Sequence, residues 1–95
     1  MDLTFSGPVF EWRGPAPYYY VAVPEDEAAL IESVSAGITY GWGMIPADVT
    51  IGETTWYTAL FPKDHSYLVP LKDRIRRAEQ IELDDVVTVD LHLDV

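Results

Sequence analysis

At 95 residues and 10.7 kDa the chain has room for one domain with a modest core, since a domain of that size buries only about 60–65% of the surface its unfolded form exposes. A composition of 48% hydrophobic and 13% aromatic residues excludes disorder of the whole. A net charge of −10 repels phosphate backbones and anionic lipid, so nucleic-acid and membrane-surface binding are disfavoured, and the absence of cysteine removes disulfides, thiolate nucleophiles and zinc–thiolate sites.

The chain opens Met1-Asp2-Leu3-Thr4, without a basic segment or a long apolar run, and is read as carrying no signal peptide. Its longest uncharged stretch, Ser33 to Ala47, is broken by Gly37, Gly41, Gly43 and Pro46 and is too short to span a bilayer. A cytoplasmic protein is expected.

Leu3 to Phe5 and Val9 to Trp12 read as one strand bent at Gly7-Pro8, because Pro8 cannot donate to a ladder. Gly14-Pro15-Ala16-Pro17 is a turn, and Tyr18 to Val23 a strand stopped by Pro24. Glu25, Asp26 and Glu27 then crowd the first turn of a helix reaching about Ala36, where negative charge meets the favourable end of the helix dipole. Ala28, Ile31 and Val34 recur at helical spacing, and Gly37 stands at the C-cap.

Ile45, Ala47, Val49 and Ile51 alternate with polar neighbours, Gly52-Glu53 suits a tight hairpin, and Thr55 to Phe61 returns as the partner strand. Lys63 to Tyr67 is read as a polar loop. Pro70 is read as the first residue of a helix running to about Gln80, with Leu71, Ile75 and Ala78 as its apolar stripe. Val87, Val89, Leu91, Leu93 and Val95 alternate in a final strand. The predicted fold is mainly β with two short helices in the order β-β-α-β-β-α-β: a small, partly closed β-barrel with helices at its ends. An open antiparallel sheet with both helices on one face is the competing picture.

Several blocks resemble a known family in order and spacing. They are Gly41-Trp42-Gly43, Val49-Thr50-Ile51-Gly52, Thr54 through Pro62, Tyr67 through Lys72, Ile75-Arg76-Arg77-Ala78 and Asp85 through Val89, with Phe5-Ser6-Gly7 and Val23-Pro24 in the first half. Together they resemble the domain-of-unknown-function family 1905 over essentially the whole chain. The resemblance implies a bacterial protein with a small barrel similar to the double-split barrels, an architecture shared with AbrB/MazE-like DNA-binding proteins, and it implies no reaction. The family often precedes a bacteriocin-protection-type domain; no residues remain for one, so a stand-alone domain is expected. Two positions depart from the family pattern: Asp84-Asp85 replaces Gly-Asp, and Ala59 stands where serine is common before Leu-Phe-Pro.

Positive charge is concentrated between residues 63 and 77. Lys63, Lys72, Arg74, Arg76 and Arg77 face only Asp64 and Asp73 there, whereas the other 80 residues hold Arg13 against fourteen acids. Such an island can hold an anion through local charge and the guanidinium fork, and a helix amino terminus near Pro70 would add to it. The plainer alternative is pairing with acids such as Asp73 and Glu79. Aromatic residues are numerous, and an extended Tyr18-Tyr19-Tyr20 must split between two faces. Lys72, Arg74, Arg76 and Arg77, with Trp42 and Trp56 nearby, form the candidate ligand site.

Catalytic signals are poor. Asp64-His65-Ser66 has the residue types of a triad, but adjacency prevents the required hydrogen-bonded chain. Asp90, His92 and Asp94 share one strand face without ligands from a second element, which reads as a solvated polar face. There is no phosphate-binding glycine loop and no HExxH. The sequence therefore leads to a non-enzymatic binding module without cofactor or metal, engaging a small anionic ligand or a protein partner. The alternative is a structural or regulatory homodimer; DNA binding, opposed by the net charge, ranks below both.

Overall fold

Two strands are long enough to turn a corner, and they close the sheet into a barrel. The computed structural model describes residues 1–12, 18–35, 43–64 and 66–95. Its elements are β1 (Asp2–Trp12), β2 (Tyr18–Ala22), α1 (Glu25–Val34), β3 (Ile45–Ile51), β4 (Thr54–Lys63), β5 (Ser66–Leu71), α2 (Asp73–Ala78) and β6 (Val86–His92). The closed order is β1-β2-β5-β4-β3-β6, with antiparallel pairing throughout.

Residues Asp2 to Pro8 of β1 pair with β6, and Val9 to Trp12 pair with β2. The change of partner falls immediately after Gly7-Pro8, the expected bend. A Cβ on Gly7 would lie 3.3 Å from Val21 Cγ1, a tight contact that glycine avoids. On the opposite side, Thr54 to Leu60 of β4 pair with β3 and Phe61 to Lys63 with β5. The barrel thus has two halves that share β1 and β4. One is built around β6 and β3, the other around β2 and β5.

Alternation along the strands fills the interior. Val9, Val21, Val49, Leu60, Val69, Leu71, Val89 and Leu91 are buried, joined by Ala28 and Ile31 from α1 and by Ile75 from α2. No polar or charged residue is buried among the described residues. The β3–β4 hairpin turns at Gly52-Glu53 with Ile51 opposite Thr54, as the alternation predicts. Gly52 has φ +59°, a left-handed conformation that suits glycine.

α1 follows Pro24 as expected, with its three acids in the first turn. It rests against β5, to which its entry is tied: Val23 N donates to Tyr67 O (2.9 Å) and Ser66 Oγ to Val23 O (2.8 Å).

The region between β4 and α2 differs from the sequence reading. Residues 66–71 form a sixth strand, β5, where a polar loop and the start of a helix were expected, and α2 begins at Asp73. Pro70 lies in β5 opposite Tyr20, not at a helix start. The reason is non-local: Tyr67, Val69 and Leu71 all bury their side chains, and without β5 nothing would bridge β2 and β4. Leu71 is consequently a strand residue, and Ala78 is exposed, leaving Ile75 as the buried residue of the short helix.

α2 ends in a Schellman turn. Ile81 N donates to Arg76 O (2.8 Å), Gln80 N to Arg77 O (3.4 Å), and Gln80 adopts φ +53°. Thr54 Oγ1 donates to Glu79 Oε2 (2.5 Å), which fastens this end of the helix to the β3–β4 hairpin. No helix among the described residues is long and apolar enough to cross a membrane. The Gly14–Pro17 turn and the Gly37 cap lie outside the described residues.

Candidate functional site

The inner wall of the candidate site is the last turn of the barrel at the junction of β2 and β5. Val21 faces inward, so Tyr19, two residues earlier on β2, is directed to the same side, opposite Leu71 of β5. Tyr19 packs half-buried against the core. Lys72 leaves β5 in an extended conformation and leads directly into α2. One helical turn separates Lys72 from Arg76, which brings both to the same side.

Together Tyr18, Tyr19 and Leu71 with Lys72, Asp73, Arg74 and Arg76 line a surface cleft of about 370 Å³. The Arg76 guanidinium lies over the Tyr19 ring, 3.8 Å from its centre, a cation–π arrangement that restrains the group. One terminal nitrogen donates to Asp73 Oδ1. Its Nε is buried without a hydrogen-bond partner, although the side chain as a whole keeps 25% exposure. Lys72 and Arg74 are exposed and make no ion pair among the described residues. The cleft therefore carries three cations against one carboxylate, that of Asp73.

Other surface clefts have the opposite balance. One includes Lys63 with Glu32 and Asp64; two others, on the β3–β6 side, gather Asp48, Asp90, Asp94 and Asp2 around His92. On that side His92 Nδ1 donates to Asp2 Oδ1 (2.6 Å) and Thr4 Oγ1 to Asp90 Oδ1 (2.6 Å). The hydrogen bond from His92 holds the Asp2 carboxyl below its ordinary value of 3.8. These groups form the solvated polar face expected of the last strand, and no cluster suited to a metal ion occurs among the described residues.

Of the six residues named from the sequence, Lys72, Arg74 and Arg76 come together in the cleft. Arg77 is exposed and is not part of its lining. Trp56 is a correction: it is only 3% exposed and belongs to the core, because the register places it opposite inward-facing Val49. Trp42 lies outside the described residues, as does His65 of the Asp64-His65-Ser66 stretch. The expected pairing of Arg76 with Asp73 is present, whereas Glu79 accepts from Thr54 instead. Sequence reasoning missed Tyr19 and Leu71, although counting two residues back from the inward Val21 identifies Tyr19.

Next to the cleft, the outer face of the β1–β2 hairpin is aromatic. Tyr18 and Tyr20 point outward, their ring centres 5.7 Å apart, and Tyr20 also meets Phe10 (6.2 Å) and Trp12 (6.5 Å). Register explains the cluster, since Phe10 stands opposite Tyr20 and Trp12 opposite Tyr18. Lys63 Nζ lies 3.6 Å from the centre of the Trp12 ring. Burial pushes the Tyr20 hydroxyl above its ordinary 10.0, with Tyr18 adding to the effect, so the ring stays neutral at physiological pH.

Comparison with curated proteins yields no match. The family described as "Domain of unknown function (DUF1905)" matches residues 5–91, which include every strand of the barrel except the outer residues of β1 and β6. With that extent of agreement, and a closed barrel built from the blocks that carry it, the chain belongs to the DUF1905 family.

Proposed function

We propose that the domain is a non-enzymatic binding module that takes a small anionic ligand in the cleft between β2 and α2. The observation that carries this reading is the state of Arg76. Its guanidinium lies over the Tyr19 ring, and it lines the cleft with Lys72 and Arg74, which make no ion pair among the described residues. A planar donor fork fixed in advance loses little freedom when it takes up an oxyanion. The surrounding negative charge makes this cleft the local attraction for a small anion while still repelling a long polyanion. A cytoplasmic setting belongs to the same reading.

The test is a low-salt thermal-shift panel of phosphate, sulfate and small carboxylates. A ligand at a hundred times its Kd stabilises by about 2.7 kcal/mol, a shift of several degrees in a domain this small. The shift should disappear in Arg76→Glu and shrink with added salt. Silence across the panel with a folded protein would overturn the reading.

The aromatic face favours a second reading, contact with a protein partner or a second copy. Trp12 and Phe61 remain 36% and 45% exposed, and exposed aromatic residues are enriched at interfaces. Sedimentation at micromolar concentration would show a dimer that dissociates in Trp12→Ala.

A further inference from the structure

The cleft is larger than an inorganic oxyanion needs, and its unfilled part has an aromatic wall. We infer that its ligand is an organic phosphate carrying a planar aromatic ring, with the phosphate on Lys72, Arg74 and Arg76 and the ring against Tyr18. The inference rests on the anion reading above and goes beyond it by naming the ligand class.

Size is the first support. The cleft measures about 370 Å³, whereas a water molecule takes roughly 30 Å³ of liquid volume. A five-atom oxyanion seated at Arg76 leaves most of that space vacant. The cleft therefore has room for an organic body beside the charged group.

The second support is the division of labour between two adjacent tyrosines. The face of Tyr19 is already covered by the Arg76 guanidinium, so Tyr19 orients the phosphate-binding group and offers no free face on that side. Tyr18 lines the same cleft and remains half-exposed. Its ring packs against that of Tyr20, which is not part of the cleft lining, at 5.7 Å with a tilt of 40°. A ring buttressed in this way presents a pre-set surface, and aromatic pairs of this kind gain energy beyond the area they bury.

Charge is the third support. Fourteen acids lie outside the 63–77 segment, whereas the cleft holds three cations and one carboxylate, that of Asp73. A phosphomonoester of one or two charges is attracted locally, whereas a polynucleotide would lay further phosphates across the acidic face. The chemistry is shared by free nucleoside monophosphates and aryl phosphates, and the experiment separates them.

Isothermal titration at low salt would compare inorganic phosphate, adenosine, adenosine 5′-monophosphate and phenyl phosphate. A ring-bearing phosphate should bind at least tenfold more tightly than inorganic phosphate, with adenosine alone too weak to measure. The tighter of the two monoesters identifies the source. Tyr18→Ala should bring the monoester down to the affinity of inorganic phosphate and leave phosphate binding unchanged. Tyr18→Leu, which keeps apolar bulk without a ring, should do the same and guards against a folding defect in the alanine variant. Arg76→Glu should abolish both. Equal affinity for phosphate and both monoesters would overturn this inference and leave the anion reading standing. Absence of binding by every phosphate would overturn the anion reading itself. A short single-stranded oligonucleotide binding tenfold more tightly than the mononucleotide would also overturn the assignment to a small ligand.

Discussion

The two halves of the barrel share an interior and differ on the outside. Around β6 and β3 the outer face carries Thr4, Ser6, Thr50, Thr55, Thr88, Asp48, Asp90 and His92, linked across strands by short hydrogen bonds such as Ser6–Thr88 (2.9 Å) and Thr50–Thr55 (2.8 Å). Around β2 and the end of β1 the corresponding positions are Phe10, Trp12, Tyr18 and Tyr20, with the basic cleft at their margin. Cross-strand pairs stabilise either surface by a few tenths to about 1 kcal/mol each, so both are adequate ways to finish a sheet. Both halves leave aromatic surface exposed, Tyr57 on one and Trp12 on the other, but among the described residues it is the aromatic half that sets cations beside its rings. Fold and site are thus set by different layers of the same strands.

The widest break in this comparison would come from a residue both halves depend on. Leu60 is fully buried on β4, next to the point where that strand changes partner. Leu60→Ala should cost about 2–5 kcal/mol. In a Trp12→Phe, Trp42→Phe background, Trp56 fluorescence reports on the β3 half and should melt together with the near-ultraviolet dichroism to which the tyrosines of the β2 half contribute. Separate transitions would show that the halves are independent units.

A more selective contrast uses charge. Arg74→Ala should weaken phosphate binding by roughly tenfold, the loss of one charge-assisted hydrogen bond, while Asp90→Asn on the other half should leave the titration unchanged. Equal losses would place the dependence in the overall field instead of the cleft.

Smaller still is the effect of the turn behind the cleft. Gln80 occupies the left-handed position of the Schellman turn, so Gln80→Gly should stabilise the protein by up to about 1 kcal/mol, read as a higher denaturant midpoint, with anion affinity unaltered. A fall in stability would mean that the Gln80 side chain contributes more than its strained backbone costs.

Smallest is the acid response of the polar half. The His92 hydrogen bond lowers the Asp2 carboxyl below 3.8. Its stabilising contribution is therefore complete above that value and is lost as the pH falls through the lower, folded-state value. Asp2→Asn should flatten this acid limb in a stability–pH profile, because the variant lacks the contribution already at neutral pH. An identical acid limb in the variant would remove the assignment.

Much of this was legible in the sequence because it is local. Glu25 to Glu27 announce α1, Gly52-Glu53 fixes a two-residue hairpin, and the alternation from Val87 to Leu93 marks β6. β5 was not legible, because a proline can start a helix or sit in a strand with the same neighbours on either side. What decides for the strand is the pairing of Pro70 with Tyr20 and of Leu68 with Phe61, contacts that no local window contains. The basic island identified three cleft residues, yet their common orientation depends on α2 starting at Asp73. Trp56 was avoidable: with Val49 inward and the hairpin turning at Gly52-Glu53, Trp56 must face the core.

The seam between β1 and β6 joins the beginning of the barrel to its end. Asp2 stands opposite His92, and Met1 and Leu93 exchange hydrogen bonds of 2.7 and 2.8 Å. During synthesis at about 5–20 residues per second, β1 is completed several seconds before β6 exists. The nascent chain must wait through that interval with one edge of its first strand open, although β2 can already pair with the other. Met1 and Leu93 form a hydrogen-bonded pair, so by alternation the donors of Leu3, Phe5 and Gly7 lie on this waiting edge and stay open to capture until β6 arrives.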